Sequence, residues 1–188
     1  MTASPPLVLV LVGTDHHPFD RVVAWADAWA SRRGPAVRVV VQHGTAGAPS
    51  VAQGHAMLAH SELKALVEQA DVVVSHGGPA TITEVRSSGT MPVVVPRDPA
   101  LGEHVDGHQQ RFARRMGAEG MVVLCEQQDE LERALDRALD DPSWLRVSGE
   151  AERARVHRSV AAVGAVVSEL TSTARAGARR GRAVRRGA

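Results

Sequence analysis

The chain has 188 residues, 44% of them hydrophobic and 23% charged, with a formal net charge of +1. These figures suit one domain with a real core and exclude disordered and fibrous classes. The single cysteine, Cys125, excludes a disulfide framework or a Cys-rich zinc module and fits a reducing, cytosolic setting.

In chain order, five valine-rich apolar runs read as strands: Leu7–Val12, Val37–Gln42, Asp71–Ser75, Pro92–Pro96 and Met121–Cys125. They are continuous rather than alternating, as in strands covered on both faces of a parallel sheet. Helical spacing falls between them. Phe19, Val22, Val23, Ala26 and Trp29 form one stripe, and Leu58, Leu63, Leu66 and Val67 form the next. Further helices are expected at Ala80–Ser88, His104–Met116 and Asp129–Leu139, the last stopped by Asp141-Pro142. Such alternation predicts an α/β fold with a doubly wound parallel sheet, whose ligands bind beyond the carboxyl ends of the strands.

A last apolar stripe, Val156, Val160, Val163, Val167 and Leu170, predicts a C-terminal helix. Thr171–Ala188 then carries six arginines and no acid, so residues 1–170 hold 16 basic and 21 acidic groups, a net of −5. The expected organisation is a folded body over 1–148, a helix over 149–171 that docks on a partner or on its own domain, and a basic, disordered tail over 172–188. The tail fits attraction to an anionic membrane surface or a purely solvated role. Nucleic acid is disfavoured, because the body is acidic and offers few aromatic residues for stacking. No apolar run is long enough to span a membrane, and Leu7–Val12 lacks the flanks of a signal peptide. The expected location is therefore the cytoplasm.

The loops after the strands are rich in glycine, and seven of the nine histidines lie in or shortly after them: His16, His17, His43, His55, His76, His104 and His108. Ser75-His76-Gly77-Gly78 leads from a strand into a helix opened by Pro79 and containing Thr81 and Glu84. Glycine permits close backbone approach, and the helix N-terminus suits a diphosphate. Glu84, about one turn further in, can accept both hydroxyls of a ribose. The same segment also reads as a plain strand-to-helix turn capped by Thr81 and Glu84. Asp15 and His16 fit a general base, while Asp15 equally fits a cap for the helix near Pro18. Asp15, His16 and His17 have metal-ligand chemistry, but adjacent histidines in such a loop read more simply as polar rim residues. Trp25 and Trp29 share a helix face and read as core or interface, and Cys125 as a packed thiol.

Taken together, Val12-Gly13-Thr14, Gln42-His43-Gly44, Ala70-Asp71, Ser75-His76-Gly77-Gly78 with Glu84, and Pro96-Arg97 followed by His108-Gln109 resemble the donor-binding half of the family 28 glycosyltransferases. The likeness is to the small catalytic subunits of two-subunit transferases and runs from about residue 8 to residue 140. It implies a single Rossmann-like half-domain of the GT-B fold. It also implies that His76, Gly77, Gly78 and Thr81 hold the donor diphosphate and Glu84 the ribose. His108 and Gln109 would hold the sugar or distal phosphate, with Gly13, Thr14, His43, Gly44 and Arg97 completing the cleft. Catalytic roles fall to Asp15, His16 and Glu84. Ala80-Thr81 stands where the family usually has Gly-Ser, and Gly107 where it often has an acid or amide. The implied reaction is transfer from a UDP-sugar to a lipid-linked or polysaccharide acceptor. A membrane-associated acceptor-binding subunit would be the partner, and the body could lie peripherally at the cytoplasmic face. The absence of a DxD pair and of HExxH agrees with metal-independent transfer, so no cofactor is expected.

Overall fold

Valine-rich segments dominate the centre of the protein because they can be covered on both sides. The computed structural model describes residues 4–147; the expected docking helix and the arginine tail lie outside the described residues. The strands are β1 (Leu7–Leu11), β2 (Arg38–Gln42), β3 (Gln53–His55), β4 (Val72–Ser75), β5 (Val93–Val94) and β6 (Val123–Leu124). They form one six-stranded sheet in the order β3-β2-β1-β4-β5-β6, with every ladder parallel. The helices are α1 (Asp20–Arg33), α2 (His60–Gln69), α3 (Pro79–Ser87), α4 (His108–Ala118) and α5 (Gln128–Asp140).

Period-2 alternation sorts β1 between two cores. Val8, Val10 and Val12 pack with Phe19, Val22, Ala26 and Trp29 of the α1 segment and with Leu131 and Leu135 of α5. Leu7, Leu9 and Leu11 pack on the other face with Val67 of α2 and Val85 of α3. A smaller cluster joins Ile82, Val94, Ala113, Met121 and Val122 around the far strands. Trp29 is buried, and its indole N–H donates to Asp136 Oδ1 at 2.7 Å, locking α1 to α5.

Two elements differ from expectation. β3, Gln53-Gly54-His55, has no apolar signal; it is held by pairing with β2 and by Asp27 of α1, whose carboxylate accepts the backbone N–H groups of Ser50, Val51 and Ala52. Burial opposes charge at Asp27, but those three donors keep its carboxyl below the usual range. The helix expected at His104 starts at His108. Glu103 is drawn inward by Arg21, and Asp106 accepts the His108 N–H at 2.9 Å, so residues 103–107 form a loop.

Cys125 is buried, and burial, with Glu130 nearby, pushes its thiol up to about 12. The native protein at pH 8 is therefore expected to leave a thiol-specific chromogenic disulfide unreacted until denaturant is added. Rapid labelling of native protein would contradict that packing.

Candidate functional site

The strand order reverses at β1, which has β2 on one side and β4 on the other. The crevice beyond the carboxyl ends of β1 and β4 is the place where open α/β sheets bind ligands. Gly13 follows β1, Gly44 follows β2 and His76-Gly77-Gly78 follows β4.

Here the glycines serve close approach. A Cβ on Gly13, whose φ is +83°, would lie 2.8 Å from Cε1 of His76, and one on Gly78 would lie 2.7 Å from its Nε2. The imidazole thus fills a slot between two glycines. A Cβ on Gly44 would meet the Gly13 carbonyl oxygen at 2.9 Å, so the β1 and β2 loops touch backbone to backbone. The His76 Nδ1 is buried without a hydrogen-bond partner. Burial first, and then the charge of Arg97, depress the His76 pKa, keeping the ring neutral. Gly13→Ala is expected to displace this ring and to cost about 1–2 kcal/mol through its left-handed backbone. Thermal denaturation alongside the imidazole NMR signal of His76 checks both effects.

Gly78 precedes α3, Pro79 opens it, and no side chain caps it. The local capping by Thr81 and Glu84 that the sequence also allowed is therefore not what the structure shows, and the amide end of α3 faces the crevice. Glu84 lies about 7.5 Å further along the axis, half-buried beside a groove of about 280 Å³ shared with Lys64, Val67, Glu68, Ser87 and Ser88. Thr81 is half-buried and Thr14 exposed. His43 is half-buried, with Nδ1 2.9 Å from the Ala46 carbonyl oxygen.

Asp15 does not cap α1, whose N-terminal residue Phe19 makes no side-chain cap. It accepts instead from the backbone N–H of His17 at 2.9 Å, with the His17 Nδ1 at 2.7 Å. The backbone donor above all, with the His17 ring and Arg97 adding and burial opposing, holds its carboxyl down at about 2. His16 Nδ1 lies 3.3 Å from Asp15 Oδ1, and His104 Nε2 lies 3.6 Å from Oδ2. His108 contacts Asp106 through Nδ1 and is exposed, its ring 4.9 Å from that of His104. Gln109 is half-buried, and its Oε1 is buried without a hydrogen-bond partner.

Arg97 is placed behind the rim of the crevice and is 1% exposed. Its guanidinium donates to the carbonyls of His17 at 2.6 Å, Glu103 at 3.0 Å and Val12 at 2.7 Å, over the Phe19 ring at 4.9 Å. Through Nη1 and Nη2 it positions the β1 and β5 loops, while its Nε is buried without a hydrogen-bond partner. Arg21 and Glu103, not singled out from the sequence, complete this brace. Arg21 makes a two-pronged ion pair with buried Glu103, at 2.9 and 2.8 Å, and donates to the Pro96 carbonyl at 2.9 Å. Gln42, noted in the sequence only as part of the Gln42-His43-Gly44 run, has a similar task. It is buried, and its Nε2 donates to the carbonyls of Gly13 and Ala56 at 3.2 Å each. Its one visible signal is a polar residue ending an apolar strand.

A parallel sheet that reverses order beneath glycine-rich loops defines a Rossmann-like half-domain, and the similar solved structures are glycosyltransferases of the GT-B fold. The glycotransferase of kitacinnamycin has a TM-score of 0.57 and 24% identity, over 74% of this chain and 36% of that one. MurG of Acinetobacter baumannii has a TM-score of 0.52 and 22% identity, over 80% and 45%. The Glycosyltransferase family 28 C-terminal domain model matches residues 7–161, and the chain belongs to that family. Two curated relatives are UDP-N-acetylglucosamine–N-acetylmuramyl-(pentapeptide) pyrophosphoryl-undecaprenol N-acetylglucosamine transferases. The one from Xylella fastidiosa (strain Temecula1) is 34% identical over 98 residues, 50% of this chain and 26% of that protein. The one from Prochlorococcus marinus is 31% identical over 90 residues, 48% and 24%. The match thus spans about a quarter of each relative.

Proposed function

We propose that this chain is the donor-binding part of an inverting glycosyltransferase that moves a sugar from a UDP-sugar to a lipid-linked or polysaccharide acceptor. The observation that carries the reading is the His76 ring held between Gly13 and Gly78 at the uncapped start of α3, with Glu84 further along the same helix. The amide end of α3 and His76 would take the diphosphate, and Glu84 the ribose hydroxyls. Thr81, Gly77, His108, Gln109, Thr14, His43 and Gly44 would line the donor.

Inverting transfer passes through an oxocarbenium-like state with a departing diphosphate. The α3 dipole and His76 would stabilise that leaving group, so transfer is expected to need no metal. Asp15, held at about 2, is a poor proton acceptor near neutrality. The better base is His16, whose side chain is 84% exposed on the rim; Asp15 would orient it.

Acceptor binding falls to a membrane-associated partner, at whose cytoplasmic face this body would work. Three quarters of each relative lies outside the match, and no helix among the described residues is long and apolar enough to cross a membrane. The test is UDP binding in the presence of a chelator, followed by a transfer assay after co-expression with the protein of a neighbouring reading frame. Absence of UDP binding sinks the site. UDP binding without transfer by any such pair favours the second reading, a non-catalytic nucleotide-sugar-binding or scaffold protein.

A further inference from the structure

The loop after β5 brings His104, Asp106 and His108 together at the start of α4, and one ligand atom of each lies within 4.8 Å of the other two. His104 Nδ1 is 3.9 Å from Asp106 Oδ1, and His108 Nδ1 makes a short hydrogen bond with that same oxygen. The two rings are 4.9 Å apart and edge-on, at 78°. The tautomer of His104 is set from two sides. The backbone N–H of Asp106 donates to its Nδ1 at 3.4 Å, so that nitrogen carries the lone pair and the ring proton sits on Nε2. Nε2 stands 3.6 Å from Asp15 Oδ2. A free lone pair on one nitrogen, with the other N–H facing a carboxylate, is how metal-bound histidines are held. Asp15, on the β1 loop, is thus an orienting group for His104 and not a donor to the same ion. His104 is also fixed from behind: its side chain is 10% exposed, and the carbonyl of the preceding Glu103 accepts from buried Arg97 at 3.0 Å. The side chains of Asp106 and His108, at 57% and 58%, leave the other side open to solvent. Asp106 accepts the His108 backbone N–H at 2.9 Å, the contact that above all keeps its carboxyl below the usual range.

We propose that His104 Nδ1, Asp106 Oδ1 and His108 Nδ1 bind one divalent first-row transition ion of the zinc class. Imidazole nitrogens with one carboxylate are the donors such ions select, whereas Mg²⁺ and Ca²⁺ take oxygen ligands. A tetrahedral ion with bonds of about 2.0–2.1 Å places neighbouring donor atoms roughly 3.3 Å apart. A single Asp106 oxygen lies between the two imidazoles, so the ion shortens the 3.9 Å separation to His104 and lengthens the contact to His108. Both adjustments fall on the exposed side chains. The ion takes the place of the proton between Asp106 and His108, and that proton moves to His108 Nε2. Three protein donors leave the fourth position to water. Binding goes beyond the proposed transfer function and does not depend on it.

The experiment titrates the full-length chain, without a histidine tag, with Zn²⁺ against a chromophoric chelator. The expected result is one equivalent bound and no displacement by millimolar Mg²⁺. His104→Ala and His108→Ala should each weaken binding at least about tenfold, while the His16→Ala/His17→Ala pair retains it. Imidazole nitrogen NMR of the zinc-loaded, unaltered chain should show two of the nine histidines bound, both through Nδ1. No stoichiometric uptake, displacement by Mg²⁺, equal loss in the His16/His17 pair, or a spectrum without two Nδ1-bound rings would overturn the site. The NMR measurement needs no variant, so it decides the matter even if a substitution unfolds the protein. Zinc uptake is read without donor or acceptor, so its failure and the failure of the transfer reading are separate results.

Discussion

Arg97→Met is expected to lower the free energy of unfolding by about 3–5 kcal/mol, the scale for removing one member of a buried charged network. Methionine fills much of the volume but donates nothing. The carbonyls of Val12, His17 and Glu103 then lose donors at 2.7, 2.6 and 3.0 Å, and each buried acceptor left unpaired costs on the order of 1–3 kcal/mol. Asp15 also loses the nearby positive charge that helps to hold it ionised. Chemical denaturation with an unchanged m-value checks the size. A loss below about 1 kcal/mol, the scale of an exposed ion pair, would show that the guanidinium is not the brace its geometry indicates. Arg97→Lys should recover little, because one ammonium cannot reach three carbonyls in the planar fork that arginine presents.

The second large effect is on binding. Glu84→Ala is expected to weaken UDP affinity by about 150- to 25,000-fold, since two hydroxyl hydrogen bonds to a charged group contribute roughly 1.5–3 kcal/mol each. Stability should hardly change, because Glu84 is half-buried at the edge of an open groove. Thymidine diphosphate, which lacks the ribose 2′-hydroxyl, gives an independent control: it should bind more weakly than UDP to the unaltered chain and equally weakly to the variant. Affinity for UDP unchanged in Glu84→Ala would remove Glu84 from the site and the ribose assignment with it.

Gly13 and Gly78 were legible in the sequence as glycines of strand-end loops, but their shared reason was not. Both lie against the His76 ring, and only the parallel pairing of β1 with β4 brings residues 13 and 76 together. Arg97 was legible as part of a resemblance that points to a ligand. Its burial and its bonds to three loop carbonyls were not legible, because they depend on the β1 and β5 loops meeting in space. Missing β3 has a related cause: a short polar edge strand is defined by its neighbour's hydrogen bonds and by Asp27, neither of which leaves an apolar pattern.

What the sequence determined by itself is local and periodic. Runs of valine placed the central strands, helical stripes placed their covers, and glycine before Pro79 marked the start of α3, because burial and backbone freedom act over a few residues. The net charge of +1 was already divided in the sequence between an acidic body and an arginine-rich end. The tertiary structure decided which polar residues meet. His104 reaches Asp15, and Arg21 reaches Glu103, across more than 80 positions, because β1 and β4 lie side by side with β5 next in the sheet. Such contacts depend on strand order and register, which a pattern of residue types along one chain does not encode.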